Sequence, residues 1–147
     1  MSDLKVGLVI SRFNALITEQ LRLGAMDAWY YHGGLESSIV YYYVPGAFEI
    51  PGCVKQLQKT KSLDAIITLG AVIRGGTPHF DFVAGESARK IADMSIESPV
   101  PIIFGILTTD TKEQALVRSG THALNKGWEV MEAALETIKT YNLIQSS

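Results

Sequence analysis

Four short apolar runs recur along the chain, each followed by a stretch with helical spacing. They are residues 5–10 (KVGLVI), 38–44 (SIVYYYV), 64–70 (DAIITLG) and 101–107 (PIIFGIL). A strand covered on both faces reads as a nearly continuous apolar run, because neither side of its pleat meets water. Such strands alternating with helices assemble into a parallel sheet with helices packed on both faces. That alternation constrains the fold more tightly than any other feature of the sequence.

The helical stretches have readable limits. Thr18 is the expected N-cap of the first, with Glu19 and Gln20 in its opening turn. Leu21, Ala25, Ala28, Trp29 and His32 follow at helical spacing, and Gly33-Gly34 ends it. A second helix spans 48–60 after the Pro45-Gly46 turn, with Pro51 near its start. The third runs from Phe80 to about Ile96 and carries Val83, Ala84, Ser87, Ala88, Ile91 and Ala92 on a small-residue face. A short helix at 109–118 opens on Thr-Asp-Thr, and Gly120 breaks the chain after it. The last runs from Lys126 to about Leu143, with Trp128, Met131, Leu135, Ile138 and Asn142 along one face. The expected class is α/β: a three-layer αβα, flavodoxin-like arrangement of a four-stranded parallel sheet. One domain spanning 1–147 is expected.

Composition narrows the function classes. The net charge of −2 comes without a basic arm, so no nucleic-acid partner is expected. The single cysteine, Cys53, excludes an intrachain disulfide and a multi-cysteine metal site, and reads as a small buried hydrophobe. It also fits a reducing compartment. No run approaches the ~20 apolar residues of a membrane span, and no signal architecture precedes the first run. A cytoplasmic protein without a membrane partner is expected. Charged residues make up 19% of the chain, against a usual ~25%. So few charges hint at apolar surface covered by another subunit.

In open parallel sheets, ligands sit outside the carboxyl ends of the strands. The most distinctive residues of the chain follow those ends. Gly75 and Gly76 allow close backbone approach, and Thr77 and Pro78 stand where a helix begins. Amides at a helix N-terminus suit an anion, although the same pattern serves an ordinary turn. His79 lies just beyond; it either shuttles a proton or simply caps and packs. Phe13, Phe48 and Phe104 read as core residues or as plates for a planar heterocycle. Glu49 either favours a helix dipole or accepts from ligand hydroxyls. Arg118 and Lys126 suit an anion clamp or a favourable helix-end charge. His32 and His122 read as solvent-facing or capping.

These motifs, taken in order, resemble one family. Ser11-Arg12-Phe13-Asn14, Pro45-Gly46-Ala47-Phe48-Glu49-Ile50-Pro51, the stretch from Gly70 to Asp81 (GAVIRGGTPHFD), Phe104-Gly105-Ile106-Leu107-Thr108 and Asn125-Lys126-Gly127 are similar to those of 6,7-dimethyl-8-ribityllumazine synthases. The resemblance implies the penultimate step of riboflavin synthesis, without a cofactor. Its two small-molecule substrates are 5-amino-6-(D-ribitylamino)uracil and 3,4-dihydroxy-2-butanone 4-phosphate. By the same resemblance, Phe13 stacks on the pyrimidine, and Ala47, Phe48 and Glu49 bind its ribityl chain. Ala71, Val72 and Ile73 hold the ring through backbone contacts, Gly76 and Thr77 bind the phosphate, and His79 transfers a proton. Phe104 and Arg118 resemble residues donated by a neighbouring subunit, with Arg118 on the phosphate and Lys126 near it. The resemblance further implies a homopentamer, in many members twelve of them as a 60-subunit shell. Two departures bear on the shell. The first strand begins within a few residues of the start, and Leu124 stands where many members have glycine.

Overall fold

A computed structural model describes residues 3–76, 78–121 and 124–147. Thr77 and His122 fall outside it. Four strands form one parallel sheet: β1 (Val6–Ser11), β2 (Ile39–Val44), β3 (Ala65–Ile73) and β4 (Ile102–Thr109), in the order β2-β1-β3-β4. Among the described residues five α-helices follow the strands, the last two in succession after β4: α1 (Ala15–Tyr31), α2 (Ile50–Thr60), α3 (His79–Glu97), α4 (Lys112–Arg118) and α5 (Lys126–Gln145). This is the three-layer αβα, flavodoxin-like class that the alternation predicts.

The pleat sorts the core into two halves. Leu8, Ile10, Ile67 and Leu69 pack with Leu21, Ala25 and Trp29 of α1 and with Met131, Ala134 and Ile138 of α5. Val9, Ile66 and Ile106 pack with Ile50, Val54 and Leu57 of α2 and with Ile91 of α3. The α1–α5 contact is tight because two glycines allow it. A Cβ on Gly127 would strike the carbonyl of Leu21, and one on Gly24 would strike Asn125. Asn125 caps α5 by accepting from Trp128 N–H at 3.0 Å, while its Nδ2 donates to Gln20 O and Gly120 O, each at 3.0 Å. The Asn-Lys-Gly motif is therefore a packing device that fixes where Lys126 begins α5.

Several boundaries differ from expectation, for physical reasons. α1 starts a turn before Thr18: the carbonyl of Asn14 accepts from Ile17 N–H (2.9 Å) and Thr18 N–H (3.0 Å), so the chain is already helical there. At its other end Gly33 takes φ 90° and donates to Tyr30 O, as the glycine pair predicts. Residues 47–49 form a separate 3₁₀ turn ahead of α2. β3 extends to Ile73 and β4 to Thr109 because they pair with each other past their apolar runs. α4 begins only at Lys112, where Thr111 and Gln114 make a reciprocal capping box. On α3 Ser87 and Ile91 are buried but Ala92 is exposed, and on α5 Asn142 faces solvent. Among the described residues no helix is long and apolar enough to cross a membrane.

Candidate active site

The strand order reverses at β1: the chain steps out to β2, then returns across β1 to β3. Such a switch point opens a crevice between neighbouring strand ends. The β1–β3 ladder ends with Ile10 opposite Leu69, whereas β3 stays paired with β4 as far as Ile73 opposite Thr109. Residues 71–73 thus run on beyond the β1 ladder. They line a pocket of about 590 Å3 together with Phe13, Phe48, Glu49 and His79.

Each wall is built locally. The loop after β1 is tied to the loop after β2 by Arg12 N–H to Val44 O (2.8 Å) and Phe13 N–H to Pro45 O (2.9 Å). Phe13 is 72% exposed and Phe48 58%, so neither is a core residue. Apolar rings left open to water at a concave site are available to a ligand. Ala47 is buried at the pocket edge, and its carbonyl accepts from the buried hydroxyl of Ser87 on α3 (3.1 Å). Glu49 Oε1 accepts from Gly46 N–H at 2.9 Å. That bond shapes the turn and places the carboxylate at the pocket.

The far wall is the opening of α3. His79 is its first residue, after the loop through Gly75 and Gly76; Gly75 lines the pocket and Gly76 follows it. Arg74 braces the base of this loop. Its guanidinium bonds Asp110 (2.9 Å), reaches Asp81 (3.5 Å) and lies 4.4 Å above the ring of Phe80. The hydrogen bond to Asp110 leads in pushing the Arg74 pKa above its usual value, with the charge of Asp81 adding to it. Arg74 N–H also donates to Thr109 O at 2.8 Å.

The other candidates gather elsewhere. Phe104 of β4, Arg118 at the end of α4 and Lys126 at the start of α5 line a cavity of about 420 Å3 beside Leu124 and Glu129. This cavity shares no lining residue with the first and flanks β4, the sheet edge opposite β2. Lys126 Nζ lies 3.2 Å from Glu129 Oε1. The structure thus divides the predicted site residues: Phe13, Ala47, Phe48, Glu49, Ala71, Val72, Ile73 and His79 meet in one pocket, while Phe104, Arg118 and Lys126 meet in another.

A larger open groove, about 1030 Å3, follows α5 past Leu4, His32 and Glu132, away from the carboxyl ends of the strands. There His32 closes α1 and its Nε2 meets Glu132 Oε2 at 2.8 Å, a capping role. Burial pushes the Cys53 thiol up, which leaves it a poor nucleophile at neutral pH. Among the described residues no cluster of His, Cys, Asp and Glu is arranged to hold a metal ion.

Sequence reasoning did not single out Asn14 and Phe82, which line the pocket, or Arg74, which braces the loop beside it. Asn14 carries a signal, since asparagine is one of the few residues at ease in left-handed backbone. Arg74 carries little, because Asp110 lies 36 residues on. Phe82, 67% exposed and lining the pocket, reads in sequence as one more apolar helix residue.

A comparison with family models bears on all of this: the one described as 6,7-dimethyl-8-ribityllumazine synthase matches residues 3–142 of the 147.

Proposed function

Because the chain belongs to the 6,7-dimethyl-8-ribityllumazine synthase family, a family of riboflavin-biosynthesis enzymes, we propose that it condenses 5-amino-6-(D-ribitylamino)uracil with 3,4-dihydroxy-2-butanone 4-phosphate. The products are 6,7-dimethyl-8-ribityllumazine, phosphate and water. The observation that carries this reading is the pocket at the switch point, with exposed aromatic side chains facing the tail of β3. Such a slot suits a flat, hydrogen-bonding heterocycle.

In this reading Phe13 stacks on the pyrimidine. Residues 71–73 offer it backbone groups past the end of the β1 ladder, the Ala71 carbonyl already accepting from Asn14 Nδ2. Ala47, Phe48 and Glu49 take the ribityl chain, with the Glu49 carboxylate accepting from its hydroxyls. Gly76 and Thr77 bind the phosphate, since the 19-residue helix that follows presents its positive end there. The substrate amine attacks the ketone to form an imine and water, phosphate leaves, and the ring closes with loss of water. The reactants bring their own nucleophile and leaving group. The protein therefore supplies mainly orientation, with His79 moving a proton and no cofactor taking part.

Phe104, Arg118 and Lys126 enter this scheme from a neighbouring chain. Their separate cavity at the far sheet edge supports that arrangement, because one chain does not bring both groups to one ligand. A heterologous contact from β4's edge onto a neighbour's pocket makes a ring when its rotation closes, and a closed ring of five subunits in the cytoplasm is our reading. Incubating purified protein with both substrates, while following lumazine absorbance, phosphate release and particle mass, tests these points together. Stoichiometric product and phosphate from a pentamer or a multiple of it are expected. Tight binding without turnover would sink the catalytic reading, and a fully active monomer would sink the shared site.

A further inference from the structure

We propose that Asn14 is a positioning residue for the pyrimidine half of the site, a side-chain clamp that sets the gap between Phe13 and residues 71–73; this rests on the function proposed above. Asn14 has φ 65° and ψ 46°, the only non-glycine residue with positive φ among those described. It holds the N-cap position of α1 yet makes no side-chain cap there. Instead its Nδ2 donates 3.0 Å to the carbonyl oxygen of Ala71, 57 residues away and partly buried.

The place of that bond gives it meaning. The backbone ladder between β1 and β3 has ended two residues earlier, at Leu69. The Asn14 amide stands in for the missing strand and bridges the crevice at the switch point. Phe13 is then held from two sides. Its own N–H is fixed to Pro45 after β2, and the next residue's side chain is fixed to β3. A stacked ring needs its plate at about 3.5–4.0 Å, so a shift of roughly 1 Å loosens the stack. Left-handed backbone alone does not call for asparagine, since glycine adopts it more freely. The amide is explained by the clamp.

Steady-state kinetics with each substrate varied in turn, together with thermal melting, test the clamp on the assembled enzyme. Asn14→Gly keeps the backbone and removes the amide. Asn14→Asp keeps shape and backbone tolerance, but its ionised carboxylate has no proton to donate and repels the Ala71 oxygen. Asn14→Gly is expected to raise KM for the pyrimidine about tenfold and leave KM for the phosphate substrate within about twofold, with little change in Tm. Asn14→Asp is expected to be worse at about pH 7 and to regain activity relative to wild type only as the pH falls to about 4, where about half of an ordinary aspartate is protonated and donates again.

Wild-type KM for the pyrimidine in both variants would overturn the clamp. So would a pH-independent deficit in Asn14→Asp, which marks a purely structural residue. Should Asn14→Gly melt early, the pH ratio of Asn14→Asp decides. A wild-type enzyme that makes no lumazine refutes the proposed function instead, before any variant is compared.

Discussion

The two cavities that hold the candidate site residues are opposites. The pocket at the ends of β1, β2 and β3 is aromatic-walled and braced from every side: by backbone bonds from Arg12 and Phe13, by Ser87 onto Ala47 and by Arg74 onto Asp110. Its lining includes no lysine or arginine. The cavity at the β4 edge holds Arg118 and Lys126 around a half-exposed Phe104, but little that would grip a flat ring. A substrate pair that contains both a planar heterocycle and a phosphate needs both kinds of surface. On the proposed function, the difference makes each cavity one half of a shared site. It also gives the low charge content a location, since Val117 and Leu124 lie exposed beside Arg118, where a neighbour would cover them.

The comparison breaks most visibly at Arg118. On the proposed function, replacing it with alanine would remove a charge-assisted phosphate contact, and kcat/KM is expected to fall about a hundredfold with Tm unchanged. The sharper version mixes two damaged chains. A Phe13→Ala, His79→Ala double variant keeps the cationic cavity, and Arg118→Ala keeps the aromatic pocket. Co-refolded in equal amounts, they are expected to recover about a quarter of wild-type activity, the fraction of sites that draw both intact halves from different chains. No recovery in properly assembled particles would place the whole site within one chain.

Phe13→Ala probes the apolar half on its own. With the ring gone, stacking on the pyrimidine is lost, and KM for that substrate is expected to rise about thirtyfold. KM for the phosphate substrate is the internal control. Equal rises in both would mean that the two halves are not specialised as described. His79→Ala is expected to cost less, about tenfold in kcat, because orientation carries most of the acceleration and solvent replaces the proton relay. A loss of a thousandfold or more in single-turnover rate would make His79 the principal catalyst and the pocket its accessory.

Much of this was legible in the sequence, and the rest was not for identifiable reasons. Alternating runs set the class because local apolar pattern decides which faces are buried. They did not set how far β3 runs, because residues 71–73 are strand only by virtue of β4, whose partners lie 36 residues on. Thr18 looked like a cap by composition, yet Asn14 turns the chain first. Phe13 and Phe48 were ambiguous between core and ligand plate; their exposure decides against core. The motifs offered the candidate residues, and the resemblance already set Phe104 and Arg118 apart as a neighbour's; that Lys126 shares their cavity depends on how β4, α4 and α5 come together. The Asn14–Ala71 clamp joins residues 57 apart and has no local signature beyond asparagine's tolerance of positive φ.

Arg74 is where the smallest effect is expected, and it still discriminates. The guanidinium lies beside the loop through Gly75 and Gly76 that is proposed to take the phosphate, so two roles compete. As a brace it is engaged by Asp81, Asp110 and the face of Phe80 and never meets the phosphate. As a ligand it would release those carboxylates when phosphate arrives. Both ion pairs are about half exposed, and pairs of that kind are weak and screened by salt. A brace therefore predicts a modest phenotype: Arg74→Ala raises KM for the phosphate substrate about threefold, and raising the salt narrows the gap to wild type. Asp110→Asn supplies the contrast. If Arg74 braces the loop, loosening its partner mimics the loss and KM rises. If Arg74 binds phosphate, freeing it from Asp110 strengthens the site and KM falls. The sign of that single change therefore decides whether all the phosphate-binding cations belong to the cavity at the β4 edge.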